Sequence, residues 1–211
     1  MPVRQVVKPT KTTVRYIVQS IKNAMGIECE SGLERDLALV LEFSPLVAFY
    51  EEQPQKFQIP AEPKAFTTIP DMRVTLINGE ERLLEAKYAR SAKKLEVRHQ
   101  QVEKHLKTLG YRYQVLTERH IRPNQIVIDN CLYLNGFRSR SKRSAEELSI
   151  YVPKGTFRLE ELIEILGDSQ LAMELIARQL IYHDFTKILS QKSELRACRL
   201  GDFDFLTPFF I

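Results

Sequence analysis

Two short segments place acidic and basic side chains at the ends of apolar stretches. Asp71 follows an Ile-Pro pair and precedes an apolar strand-like run, and Glu85-Ala-Lys87 closes a second run. Side chains alternate along a strand, so Glu85 and Lys87 project from one face. With Asp71 nearby, this group could hold a divalent cation, or it could be an ordinary cross-strand ion pair on a solvated surface. The residue types leave both interpretations open.

The turn between the two runs decides whether Asp71 joins the other two residues. Asn78-Gly79 is typical of a hairpin turn. A strict two-residue turn would pair Asp71 with Ala86 and direct its carboxylate to the opposite face, whereas a turn with a glycine bulge shifts the register by one residue. We predict the bulged turn.

Two neighbouring carboxylates repel each other unless a cation lies between them. Mg²⁺ suits this position, because it prefers hard oxygen ligands, keeps several waters and takes one or two carboxylates together with phosphate oxygens. Mn²⁺ is an expected substitute. The backbone carbonyl of Ala86 is a further candidate ligand, and Lys87 could orient or deprotonate an attacking water and offset charge developing on a phosphate.

A third acid lies on a predicted helix. Apolar residues recur at helical spacing over 31–43, with Ser31 at the predicted N-cap. Glu34 lies at the margin of the apolar stripe, where it could reach Asp71 and Glu85. Ser31-Gly-Leu-Glu34 is also a capping box, and the spacing alone favours that structural role.

The elements that must position these residues follow the order helix, strands, helix, strand, which predicts an α/β sandwich built on a mixed sheet. Residues 1–30 are predicted to form a basic arm and a short helix, and 31–137 the α/β domain. A polar basic stretch at 138–147 is predicted to be a linker. Within 148–211, two helical runs and a possible hairpin are typical of a small winged-helix unit, and equally of a helical cap packed on the first domain without DNA contact.

Composition excludes several classes of protein. The 211 residues are 44% hydrophobic, enough for a sizeable core, and the formal net charge is only +4. No apolar run approaches the roughly 20 residues that a membrane span requires, and no secretory signal is visible, so we expect a cytoplasmic protein. Three cysteines without a C-x-x-C pair predict neither a disulfide framework nor a zinc site. No glycine-rich phosphate loop is present, so nucleotide hydrolysis is not expected.

The sequence resembles a nuclease family. Pro-Asp71, an E-x-K strand beginning fourteen residues later and an upstream helical glutamate resemble the PD-(D/E)xK nuclease superfamily. Residues 28–135 are similar to TnsA, the endonuclease subunit of heteromeric cut-and-paste transposases. The stretches at 50–54 and 117–122 favour this family over a generic resolvase or restriction enzyme. The resemblance is carried by three segments, residues 31–57, 70–89 and 113–134.

The resemblance implies a restriction-endonuclease-like fold and a role for each candidate residue. Glu34 corresponds to the helical metal ligand of the family, Asp71 to its central metal-binding aspartate, and Glu85 with Lys87 to the E-x-K strand. Some members carry glutamine at the position of Glu85. The carboxyl-terminal part is similar in outline to the winged-helix domain of the family.

The implied activity is Mg²⁺-dependent hydrolysis of DNA at the 5′ ends of a transposon, on the strand that is not joined to the target. The implied partners are an RNase H-like transposase, TnsB, and an AAA+ ATPase regulator, TnsC. Two alternatives stay open: a stand-alone structure-specific nuclease or resolvase with the same site, and a non-catalytic adaptor that bridges the transposase and the ATPase.

Contact with DNA requires basic groups near the site. One group follows the E-x-K strand on a predicted polar helix, where alternation with acidic residues is equally typical of a solvated surface. The densest basic cluster lies in 138–143, and its charge density favours contact with backbone phosphates. The candidate DNA-contacting residues are Lys93, Lys94, Arg98, Arg138, Arg140, Lys142 and Arg143.

Overall fold

The computed structural model describes residues 14–199, 201–203 and 206. The basic arm predicted at the N-terminus therefore lies largely outside the described residues. The chain divides into two compact units: the first runs up to Pro123 and also takes in Leu206, and the second begins at Asn124. Helices and several sheets alternate along the chain, so the predicted mixed α/β class is confirmed. None of the helices in the described part of the chain combines the length and apolar character of a membrane span.

The first unit begins with a β-hairpin. Strand β1 (Tyr16–Ser20) pairs antiparallel with β2 (Met25–Cys29). The short helix predicted within 1–30 is therefore wrong. Aromatic and β-branched residues at the start of β1 favour extended backbone, and the end of the strand alternates between exposed and buried residues, the pattern of a strand packed on one face. Ala24, with φ of 54°, closes the turn in a left-handed conformation.

The helix that follows was predicted correctly. Helix α1 (Gly32–Phe43) begins after Ser31, whose side chain accepts a hydrogen bond from the Glu34 backbone N–H. Its apolar face is fully buried, including Leu33 and Leu37. The helix ends at Ser44, immediately before a proline, which cannot continue a helix.

A four-stranded mixed sheet is the centre of the first unit. The remaining elements of this unit are β3 (Val47–Glu52), β4 (Phe57–Ile59), β5 (Phe66–Thr68), β6 (Met72–Leu76), β7 (Glu81–Ala86), α2 (Ala89–Lys94), α3 (Glu96–Thr108), β8 (Arg112–Leu116) and α4 (Glu118–Ile121). The order across the sheet is β3-β6-β7-β8. Strand β6 pairs antiparallel with both β3 and β7, whereas β8 is parallel to β7 after the crossover through α2 and α3.

A hydrophobic core joins this sheet to α3. Val102 and Leu106 of α3 pack with residues of β4, β7 and β8; the buried cluster consists of Phe57, Ile59, Leu83, Val102, Leu106 and Tyr113. The single polar helix predicted for 91–110 is in fact two helices that meet at Leu95. Helix α2 buries no residue, so the core fixes α3 more firmly than α2.

The second unit combines helices with a small sheet. Its elements are α5 (Gln125–Arg140), α6 (Ala145–Ser149), β9 (Thr156–Arg158), α7 (Leu159–Leu166), α8 (Ser169–Ala177), β10 (Ile181–Tyr182) and β11 (Glu194–Ala197). The strands form an antiparallel sheet in the order β10-β11-β9. Asp168 caps α8 by accepting hydrogen bonds from the backbone N–H groups of Gln170 and Leu171.

The predicted linker at 138–147 needs correction. Helix α5 continues to Arg140, and α6 already begins at Ala145, so much of the stretch is helical. Helix α5 therefore runs through the domain boundary that the sequence placed at 137/138, and the boundary between the two units lies before this helix, at 123/124.

Candidate active site at the end of the central sheet

The turn between β6 and β7 sets the register of the site. Ile77, Asn78 and Gly79 form the loop; Gly79 has φ of 83°, and the Leu76 N–H donates to the Glu80 carbonyl at 2.8 Å. Met72 lies opposite Leu84, so continuing the register by one residue places Asp71 opposite Glu85. The predicted bulged register is confirmed.

Asp71 is fixed from both sides. Its Oδ2 accepts a hydrogen bond from the Ala86 N–H at 2.8 Å and one from Lys87 Nζ at 3.2 Å. Its backbone carbonyl accepts a hydrogen bond from the N–H of Gln53, the residue after β3, at 2.9 Å. Asp71 therefore links the ends of three adjacent strands.

Lys87 binds both predicted carboxylates. Its Nζ lies 2.8 Å from Glu85 Oε1 and 3.2 Å from Asp71 Oδ2. The other oxygen of Glu85, Oε2, is buried and accepts no hydrogen bond from the residues that the structure describes. A buried carboxylate oxygen without a partner is unfavourable, because it has lost its hydration. The geometry leaves this oxygen available to a ligand.

The pKa values of the pair reflect this environment. Burial, followed by the negative charge of Asp71, raises the pKa of Glu85 to about 7. Burial alone would lower the pKa of Lys87, but the carboxylates of Asp71 and Glu85 outweigh burial and raise it. Lys87 is therefore an ammonium ion at neutral pH.

The Ala86 carbonyl points to the same side as these groups. The N–H and C=O of one strand residue point in the same direction, and the Ala86 N–H donates to Asp71. The carbonyl therefore faces the β6 side of β7, beyond the end of the regular pairing with β6, which stops at Leu84.

Glu34 lies close to the pair but is engaged at the start of α1. Its Oε2 accepts a hydrogen bond from the Glu30 N–H at 2.8 Å, and its Oε1 accepts one from Ser31 Oγ at 2.9 Å. Burial, followed by the charge of Asp71, raises the pKa of Glu34. Ser31 caps α1 as predicted, but Glu34 accepts the N–H of Glu30, one residue before the Ser31 N–H that the predicted capping box would use. The carboxylate of Glu34 is near enough to Asp71 to interact electrostatically.

Residues that the sequence reasoning did not single out brace this arrangement. Asp36, buried in α1, accepts hydrogen bonds from Arg35 and from Arg122, which lies 86 residues further along the chain. Glu118 accepts a hydrogen bond from the Ala89 N–H at 2.7 Å, at the start of α2. In the sequence, Asp36 could have been noticed as a charged residue one helical turn from apolar residues of α1. Arg122 and Glu118, which make the two longer-range contacts, both lie in the stretch 117–122.

A cleft adjoins the site between α3 and β8. It has a volume of about 540 Å³ and is lined by Lys93, His99 and Tyr113, among others. Burial, followed by the negative charges of Glu85 and Asp71, raises the pKa of Tyr113, which shows that the charged pair is near this side of the cleft. Lys93 is the predicted DNA-contacting residue that lines it.

The remaining predicted phosphate contacts of the first unit differ in their availability. Lys94 is exposed at the end of α2. Arg98 is exposed but donates a hydrogen bond to the Thr67 carbonyl at 3.0 Å, and its guanidinium lies 4.0 Å from the centre of the Phe66 ring. Arg98 therefore packs against β5.

The basic cluster of the second unit is largely occupied within that unit. Arg138 is only 6% exposed and donates to the Ala177 carbonyl at 2.9 Å, so its prediction as a phosphate contact is wrong. Arg143 forms an ion pair with the buried Glu174 at 3.2 Å. Charge density along the sequence did not reveal these partners, because both lie more than 30 residues away.

Three cations of this cluster remain at the surface. Arg140, Lys142 and the ion-paired Arg143 are exposed. The Arg140 guanidinium donates to the Gly136 carbonyl and lies 5.7 Å from the centre of the Phe137 ring. The cluster therefore presents fewer free cations than its sequence suggested.

The donor set was compared with the requirements of a divalent cation. Among the described residues, no group of three or more His, Cys, Asp or Glu side chains is arranged to hold a metal ion. Asp71 and Glu85 nevertheless provide two carboxylates, one with an unbonded buried oxygen, and Ala86 adds a carbonyl on the same side. This set fits a cation that takes one or two carboxylates and keeps several waters.

No protein-family model matches the chain, and no curated protein matches it. The arrangement of Asp71, Glu85 and Lys87 therefore carries the functional interpretation.

Proposed function

We propose that the protein is the Mg²⁺-dependent DNA endonuclease subunit of a heteromeric cut-and-paste transposase, which cleaves the 5′, non-transferred strand at the transposon ends. The observation that carries this proposal is the group formed by Asp71, Glu85 and Lys87, in which two carboxylates flank one ammonium ion and Glu85 keeps an unbonded buried oxygen. Strongly perturbed acids gathered at the end of a sheet are typical of active sites.

The order of elements supports the same class. A helix, three antiparallel strands, a helical crossover and a parallel fourth strand are similar to the restriction-endonuclease-like core. In the second unit, a strand, two helices and two further strands in one small sheet are similar to a winged helix. Both similarities support the domain types that the sequence resemblance implies.

Asp71, Glu85 and the Ala86 carbonyl would hold the cation, with Glu34 as the expected further ligand. When bound, Mg²⁺ would lower the pKa of a ligated water and offset negative charge on the scissile phosphate. Asp71 contributes a carboxylate whose direction is fixed by the Ala86 N–H. Glu85 contributes the oxygen that lacks a hydrogen bond.

Lys87 acts as a cation. Its ammonium group is placed to donate hydrogen bonds and to offset charge on the phosphate, and the second role that the sequence left open, orientation or deprotonation of the attacking water, stays part of the proposal. Its present contacts with Asp71 and Glu85 place the ammonium group next to the proposed cation position.

DNA and the two partner proteins complete the proposal. Lys93 and Lys94, exposed after the E-x-K strand, are the best placed of the predicted residues to contact phosphates near the site. The similarity of residues 28–135 to TnsA supports an RNase H-like transposase and an AAA+ ATPase as partners. Recognition of the transposon ends is assigned to the transposase.

Reconstituted transposition with both partners tests the function. We expect Asp71→Ala to reduce 5′-end cutting by at least about 100-fold, the loss typical of removing one electrostatic contributor at an active site. Joining of the 3′ ends should continue, so cointegrates should replace simple insertions. The two products are separated by gel analysis of the reaction.

Asp129→Ala is the matched control, because Asp129 is an exposed acid that only accepts a hydrogen bond from Gln125 in its own helix. It should retain wild-type products. Unchanged products with Asp71→Ala would contradict the nuclease proposal, and robust cleavage by the isolated protein would favour a stand-alone nuclease.

A further inference from the structure

The residue after β3 combines three unusual features. Gln53 has φ of 44°, a left-handed conformation that costs a non-glycine residue free energy. It also precedes Pro54, and a following proline restricts the backbone further. Its side chain is 94% buried, since only 6% is exposed, yet its Oε1 accepts no hydrogen bond from the described residues.

Left-handed backbone alone does not indicate function. Ala24 and Gln179 share this conformation among the described residues. Ala24 lies in the turn between β1 and β2, where such a conformation closes a hairpin. Gln179 follows α8, and its Oε1 accepts a hydrogen bond from Arg138 at 3.4 Å. Gln53 differs from both, because its amide oxygen is buried and unbonded.

The position of Gln53 relates this oxygen to the candidate site. The Gln53 N–H donates to the Asp71 carbonyl at 2.9 Å. Glu52 lies opposite Met72, and Met72 opposite Leu84, so one residue further Gln53, Asp71 and Glu85 form a row across β3, β6 and β7. Gln53 and Glu85 therefore flank Asp71 in this row of backbone positions, and each carries a buried oxygen without a hydrogen bond from the described residues.

We propose that Gln53 is a positioning residue of the cation site: its backbone N–H fixes Asp71, and its side-chain oxygen accepts a hydrogen bond from a water of the bound cation. This inference rests on the proposed function, because it requires a divalent cation at Asp71 and Glu85. A cation that takes few protein ligands keeps several waters, and each water needs acceptors in a site from which bulk water is excluded. The strained backbone persists because it keeps the amide oxygen in this row.

The variant Gln53→Gly separates the contribution of the Gln53 backbone N–H from that of its side chain. Glycine adopts the left-handed conformation without penalty and retains the N–H that binds the Asp71 carbonyl. The whole side chain is lost, its amide oxygen included, and Gln53→Glu, which keeps the methylenes and an oxygen, distinguishes the oxygen from the packing. Ala24→Gly is the matched control, since it relieves the same kind of backbone strain away from the site.

The measurement is calorimetric titration of Mn²⁺ into the metal-free full-length protein, together with the melting temperature of each variant. We expect Gln53→Gly to weaken Mn²⁺ binding at least about 10-fold, the loss typical of an outer-shell partner, with a melting temperature equal to or above that of the wild type. Gln53→Glu, which keeps a side-chain oxygen, should bind within two-fold of the wild type or more tightly. Ala24→Gly should bind as the wild type.

The outcomes distinguish the two proposals. If the wild type binds Mn²⁺, Asp71→Asn abolishes binding and Gln53→Gly binds as the wild type, the role of Gln53 is overturned and the nuclease site stands. If the wild type and Asp71→Asn behave alike, the cation site itself is wrong and both proposals fail. A fall in melting temperature with Gln53→Gly, matched by Gln53→Glu, would assign the side chain to folding.

Discussion

Two buried glutamates of the first unit have opposite surroundings. Glu42 of α1 is fully buried, and its oxygens accept hydrogen bonds from Ser20 Oγ at 2.6 Å, the Ile21 N–H at 3.1 Å and the Tyr50 hydroxyl at 3.1 Å. These contacts tie α1 to the β1 hairpin and to β3. Glu42 is satisfied by groups that must be in place for the unit to fold.

Glu85 is almost as deeply buried, but only one of its two carboxylate oxygens has a partner among the described residues. One oxygen binds Lys87, the other has no hydrogen bond from the described residues, and Asp71 adds a second negative charge. The contrast teaches that burial alone does not distinguish a structural carboxylate from a candidate ligand for a cation. What distinguishes them is whether each buried oxygen has a partner, because an unpartnered one lowers stability unless a ligand compensates.

The largest expected effect is the loss of the satisfied network. Glu42→Ala removes the acceptor of three donors, each of which costs about 1–3 kcal/mol when left unbonded and buried, so we expect the free energy of unfolding to fall by about 4 kcal/mol. Chemical denaturation measures this loss. Mn²⁺ should not restore the lost stability, since the proposed cation site lies elsewhere. A loss below about 1 kcal/mol would show that the hydrogen bonds of Glu42 do not stabilise the fold.

A smaller effect on stability is expected from pH. Because burial raises the pKa of Glu85, the free energy of unfolding should fall as the pH rises. The folded-state pKa is about 7 and the ordinary value is 4.5, so the stabilising contribution of Glu85 is fully present below pH 4.5 and is lost as the pH rises to 7. The loss amounts to about 3 kcal/mol. Denaturation of the wild type and Glu85→Gln in EDTA, from pH 4.5 to 8, should show this decline only in the wild type. Parallel profiles would mean that Glu85 is not strained.

The smallest expected effect on stability concerns Glu34. Glu34→Gln keeps an acceptor for the helix start, so we expect a loss below about 1 kcal/mol, but it removes a charge near Asp71 and should weaken Mn²⁺ binding about 10-fold. Asp168→Ala is the control: it removes the cap of α8 in the second unit, costs about 1 kcal/mol and leaves Mn²⁺ binding unchanged. Equal Mn²⁺ affinity of Glu34→Gln and the wild type would limit Glu34 to capping.

Features with a local signal were predicted from the sequence. Ser31 and the apolar spacing after it defined α1, and Asn78-Gly79 with the apolar alternation around it gave the hairpin and its register. In both cases the information lies within a few residues, since capping and turn geometry are local. The convergence of Asp71, Glu85 and Lys87 follows from that register.

Features that depend on distant partners were not predicted. The burial of Arg138 is decided by the Ala177 carbonyl, and the position of Asp36 by Arg122, contacts that only the folded chain creates. The short β1 segment fits both helical and strand spacing, and pairing with β2 settles it. Gln53 had no side-chain signal, because its conformation arises where β3 meets β6.

The exposed loop at 77–79 has a consequence for how this protein can change over evolutionary time. Surface loops generally tolerate gains and losses of residues. Here, deletion of one loop residue would shift the pairing of β6 with β7 by one residue. The side chains of one strand would then face the opposite side of the sheet relative to the other, so Asp71 would no longer share a face with Glu85. A one-residue change in the length of this loop should therefore separate Asp71 from Glu85 and Lys87, although the loop lies at the opposite end of β6 and β7.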